Sequence, residues 1–188
     1  MADVAGLNLL RLDTLKGNNR LQSFEVDSLG CLALNDPSGF LSLRSIVLSD
    51  VPLCDDDLMC LRSLQSLESL FLDDTQIGDI AYVTRTNVSA CSSNAVKRVM
   101  HLIGLRRTLS HLELSWNDRI TDDAIPTLCQ ILCLSFLSLK GTRVTMKGLR
   151  KLACHAKDSD KTISAIFPSE CEEYIRSKSI LCPSVSAL

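Results

Sequence analysis

The pattern L-x-x-L-x-L occurs four times in this chain, as Leu43, Ile46, Leu48; Leu67, Leu70, Leu72; Leu109, Leu112, Leu114; and Leu134, Leu137, Leu139. The starts lie 24, 42 and 25 residues apart. Side chains alternate along a strand, so the fourth and sixth positions of each unit share one face. A single such unit cannot bury that face by itself. Self-similarity at a period of about 20–50 residues therefore means units stacked on one another around a continuous core.

The rest of each unit follows a common plan. The ninth position holds Val51, Thr75, Asn117 or Thr142, and an apolar residue then dips back toward the core: Leu53, Ile77, Ile120 or Val144. Thr and Asn can bond a turning backbone that needs partners once buried, whereas Val51 cannot, so the first unit should turn differently. Asp55, Asp79 and Asp122 stand two residues further on as helix N-caps; in the last unit Met146 holds that place and Thr145 serves instead. Apolar residues then recur at helical spacing: Leu58, Leu61; Ile125, Leu128, Leu132; Leu149, Leu152. The stretch from Leu109 to Leu128 contains the whole plan, with one strand, one turn and one helix.

The long interval has a local cause. Residues 80–94 are mostly small or polar, and removing them joins Ile77-Gly-Asp79 to a helical pattern from Ala95, much as Ile120-Thr-Asp122 joins its own. They are expected to form an inserted loop, or to be a retained intron. Residues 1–42 read as an N-terminal cap in which Leu21, Phe24, Val26 and Leu29, Leu32, Leu34 compete as an irregular earlier unit. After the repeats at 43–157, residues 158–178 read as a C-terminal cap with a strand at Ile163–Phe167 and a Ser169/Glu172 capping box. Residues 179–188 read as a loose tail.

A chain of 188 residues with 46% hydrophobic but only 4% aromatic residues fills one core with Leu, Val and Ile. A net charge of −2 gives no footprint for nucleic acid, and the Lys97, Arg98, Arg106, Arg107 cluster is too small to change that. The sequence shows no basic signal segment and no run long enough for a membrane span, so the cytosol or nucleus is expected, with the nine cysteines reduced. Cys129, Cys133 and Cys154-His155 raise the possibility of zinc, but no C-x-x-C spacing occurs. These cysteines, with Cys31, Cys54, Cys60 and Cys171, read as core; Cys91 and Cys182 read as exposed. No metal or other cofactor is expected.

The four units resemble leucine-rich repeats of the ribonuclease-inhibitor-like and F-box-associated (cysteine-containing) kinds, best in LSHLELSWNDRITDDAIPTL and LSFLSLKGTRVTMKGLRKLA. Uncharacterised fungal proteins with such repeats are similar. The resemblance implies an α/β fold, a short right-handed solenoid of about five units with parallel strands on the concave face and helices on the convex face. It also implies a role in protein binding, with substrate recognition for a ubiquitin ligase as the alternative. Where the cysteine-containing class carries Cys, this chain has Val51, Thr75, Asn117 and Thr142, and residues 1–42 hold no F-box-like segment.

In such a coil the residues between the leucines face outward. The expected partner-binding surface is therefore Phe71, Asp73, His111, Glu113, Phe136 and Lys140, with Trp116 at the strand's edge. Large aromatics there are anchor types and the charged groups set orientation. The chain has five Phe and one Trp, so three of them on one face carry information. His111, Glu113 and Ser115 also share that face, but side by side rather than converging, which argues against a hydrolytic triad. The expectation is a monomeric, non-enzymatic module for another protein.

Overall fold

The computed structural model describes residues 10–11, 20–27, 32–33, 40–50, 61, 64–75, 77, 107–178 and 185–187. Its strands are β1 (Leu10–Arg11), β2 (Ser23–Asp27), β3 (Leu32–Ala33), β4 (Ser45–Ser49), β5 (Ser69–Phe71), β6 (His111–Glu113), β7 (Phe136–Ser138), β8 (Ile163–Ile166) and β9 (Val185–Ala187). Seven of them form one parallel sheet in the order β2-β4-β5-β6-β7-β8-β9, and β1 pairs with β3 apart from it. The register sets Phe24, Ile46, Leu70, Leu112, Leu137 and Ala165 side by side. This is a leucine-rich-repeat solenoid: every strand of the sheet neighbours the strand of the next unit.

The core is the column of leucines the pattern calls for. All twelve L-x-x-L-x-L residues are buried, as are the returning Ile77, Ile120 and Val144. Buried turns need polar partners, and the ninth position supplies them. Thr75 Oγ1 donates to the Leu72 carbonyl at 3.0 Å and Thr142 Oγ1 to the Leu139 carbonyl at 2.7 Å. Asn117 reaches further. Its Nδ2 donates to the carbonyls of Leu72, Leu114 and Ser115, and its Oδ1 accepts from the Ile77 backbone N–H. One amide thus ties two successive turns together. Val51, Leu53 and Asp55, the inserted stretch 80–94 and the cap at Asp79 lie outside the described residues.

The convex side varies with the length available. Between β6 and β7 the register advances 25 residues and holds a 3-10 turn, Asp122–Ala124, followed by α1 (Ile125–Leu128). Between β7 and β8 it advances 28 and holds the 13-residue α2 (Met146–Asp158). The expected helical stripe Ile125, Leu128, Leu132 therefore fails at its end. After α1 the backbone continues in three-residue turns, with Gln130 N–H on Thr127 and Ile131 N–H on Leu128, and Leu132 is 53% exposed.

Capping also differs from expectation in the unit that begins at Leu109. Thr121, not Asp122, is the N-cap there, its hydroxyl accepting from Asp123 N–H. Asp122 instead bonds the backbone N–H (2.8 Å) and hydroxyl (2.6 Å) of Thr145, the N-cap of α2 in the next unit. A side chain on Gly148 would run into that carboxylate, so Gly148 is what lets α2 approach. Thr145 caps α2 as expected, accepting from Lys147 N–H.

The ends depart from the sequence reading as well. β2 pairs with β4 twenty-two residues on, so Leu21, Phe24 and Val26 are the regular unit, and Leu32–Ala33 joins Leu10–Arg11 instead. At the other end α3 (Ser169–Lys178) starts on Ser169 itself, with the Pro168 carbonyl accepting from Cys171 and Glu172 N–H groups. Part of the expected loose tail is β9, which pairs in parallel with β8. Among the described cysteines Cys171 is buried and Cys129 half-buried, whereas Cys133 and Cys154 are exposed, against the expectation of core positions. No group of three or more potential metal ligands comes together among the described residues.

Candidate functional site

The parallel register fixes which side chains stand beside one another on the concave face. Phe71 lies opposite Glu113, which lies opposite Ser138; one row away, Ser69, His111 and Phe136 are aligned. Asp73, Ser115 and Lys140 follow two residues beyond Phe71, Glu113 and Ser138. Six of the seven expected site residues thus occupy adjoining columns, and Trp116 sits at their rim.

Their exposure is uneven. Trp116 is 57% exposed, and His111 and Lys140 are exposed, but Phe71, Asp73, Glu113 and Phe136 are half-buried. Ser115 and Ser138, which alternation points at solvent, are buried, and their hydroxyls lie 2.8 Å apart across adjoining columns. Phe136 stacks on His111, ring centroids 5.9 Å apart at 21°. His111 Nδ1 lies 2.9 Å from Ser110 Oγ, while Ser115 Oγ donates to Glu113. Ser115 thus bonds a carboxylate and a second serine rather than an imidazole, an arrangement that does not activate it as a nucleophile.

The eighth position of each unit is where sequence reasoning missed a feature. Asp50, Asp74, Trp116 and Gly141 all adopt positive φ, at 52°, 50°, 60° and 68°. This left-handed bend aims the N–H sideways: Asp50 donates to the Asp73 carbonyl, Asp74 to Ser115 and Trp116 to Lys140. Gly and Asp adopt it at little cost, but a bulky tryptophan there costs on the order of 1–3 kcal/mol. The run Asp, Asp, Trp, Gly was the available signal, since Asp and Gly are the residues such a bend selects. The Trp116 ring lies against Gly141, where any added Cβ would overlap it, and Lys140 Nζ stands 5.4 Å from its centroid.

Two carboxylates meet at Ser115. Asp73 Oδ1 accepts its N–H at 3.1 Å and Glu113 Oε1 accepts its hydroxyl at 3.2 Å. Burial pushes the Asp73 carboxyl above its ordinary pKa, against the opposing bonds from Ser115. Burial, then the neighbouring Asp73 charge, push Glu113 up as well. Both protons are held more tightly in the fold than in the unfolded chain, so this pair's contribution to folding stability is greatest below the ordinary carboxyl range and falls as pH rises through the raised values. Asp73→Asn keeps an oxygen for the Ser115 N–H and removes one of the charges. The urea midpoint of this variant should fall less than wild type across that pH window; parallel profiles would show that the pair carries no such penalty.

No protein-family model matches the chain, and no characterised protein matches it in sequence. Among solved structures it is similar to internalin C2 from Listeria monocytogenes strain 4b F2365, with 19% identity over 90% of this chain and 72% of that one, and a TM-score of 0.46.

Proposed function

We propose that this chain is a non-catalytic protein-interaction module that receives its partner on the concave face. Phe71, Trp116 and Phe136 supply apolar contact there, and Asp73, His111, Glu113 and Lys140 set orientation. The observation that carries the reading is Trp116: the one tryptophan of the chain stands exposed on a left-handed bend where aspartate or glycine serves elsewhere. Its ring rests on Gly141 and beside Lys140 and leaves more than half of its surface to solvent, the form an interface anchor takes. In this reading the protein acts as a monomer of the cytosol or nucleus, and the ribonuclease-inhibitor-like kinship rests on the segments LSHLELSWNDRITDDAIPTL and LSFLSLKGTRVTMKGLRKLA, together with the full helix α2 of the 28-residue unit.

Trp116→Gly relieves the strained bend, so the variant should be as stable as wild type or more so. Combined with Phe71→Ala, it should lose a partner that immobilised wild-type protein retains in a pull-down read by mass spectrometry, with the far-UV spectrum unchanged. Equal recovery of every bound protein by both forms would sink the reading.

A further inference from the structure

The concave face carries information about the chemistry of its occupant, and this inference rests on the interaction reading above. Across β2 to β7 the outward positions include the carboxylates Glu25, Asp73 and Glu113, while the ammonium on the same columns, Lys140, is placed over the Trp116 ring. Exposed Asp50 and Asp74 add further negative charge along the rim. Between the carboxylates lie apolar surfaces: Phe71 flanked by Val47 on one side and Glu113 on the other.

Asp73 and Glu113 are the informative pair. Both are half-buried, and one neutral residue, Ser115, bonds both of them. Partly desolvated like charges side by side are unfavourable until a cation arrives, and an aromatic face beside them is the surface a planar cation stacks on. Guanidinium fits better than ammonium, because it can fork between two carboxylates while lying flat on a ring.

We propose that the occupant is a basic protein segment, with an arginine laid on Phe71 and its guanidinium bonded by Asp73 and Glu113. Charge complementarity identifies the partner: an acidic, aromatic sheet face takes a positively charged chain and repels an acidic one.

The test uses octaarginine, octalysine and octaglutamate peptides with the full chain, following emission from Trp116 in low and high salt. Octaarginine should bind, octalysine more weakly and octaglutamate not at all. Asp73→Asn with Glu113→Gln should weaken octaarginine by about tenfold. Phe71→Ala should weaken octaarginine more than octalysine. The distant exposed substitution Glu173→Gln should change nothing, and far-UV spectra should match throughout. Equal affinity in wild type and the double amide variant, or an equal loss on Glu173→Gln, overturns the proposal, as does self-association abolished by the same amide changes. The pull-down separates the two levels: a partner lost with Phe71 and Trp116 but kept by the amide variant leaves an interaction face with a non-basic partner. A partner lost with neither removes the face itself.

Discussion

Replacing Asn117 by alanine is expected to lower the free energy of unfolding by about 3–5 kcal/mol. The residue is fully buried, and its amide bonds the Leu72, Leu114 and Ser115 carbonyls while accepting from Ile77 N–H. Alanine leaves these groups in a dry turn with nothing to replace the amide, and each buried orphan costs roughly 1–3 kcal/mol. Aspartate is no remedy: it keeps an acceptor for Ile77 but loses the donor and buries a charge. Thr142→Val, which removes one donor to one carbonyl, should cost only about 1–2 kcal/mol. Urea denaturation followed by circular dichroism compares the three. An Asn117→Ala loss no larger than that of Thr142→Val would mean that the bridge between turns is not what holds them.

Leu112→Ala is expected to cost about 2–5 kcal/mol by opening a cavity. Leu112 has no exposed surface and lies in register between Leu70 and Leu137, so the units on both sides would have to collapse to fill the gap. Leu132→Ala removes the same atoms from a side chain already 53% exposed and should stay within roughly 0.5 kcal/mol. The same denaturation experiment reads both. Similar losses from the two would contradict the assignment of the leucine column as the core.

The leucines and the turn-bonding Thr75, Asn117 and Thr142 were legible because each follows from one short-range rule repeated in step. Strand alternation places a side chain inside or outside, and a buried turn demands a polar residue. Features that depend on the next unit were not legible. Asp122 reads as a cap for its own helix because it precedes one, yet its carboxylate bonds Thr145, twenty-three residues on. Ser115 and Ser138 read as solvent-facing by alternation, yet both are buried, bonded to each other across adjoining columns. Leu132 reads as helical because of its spacing, but only one turn of helix forms in a 25-residue unit. The concave residues were found as a set, and their unequal exposure was not, because exposure is decided by what stands alongside in the sheet.

The pairing of β5 with β6 bears on how the chain assembles. Their partners Leu70 and Leu112 are forty-two residues apart, whereas Leu112 and Leu137 are twenty-five apart. Closing the longer span costs only roughly 0.5 kcal/mol more, since loop entropy grows with the logarithm of length. Zippering from a nucleus in either half can therefore cross this junction almost as readily as any other, and hydrogen exchange would see the two halves open as one cooperative block rather than as a pair joined by a weak seam.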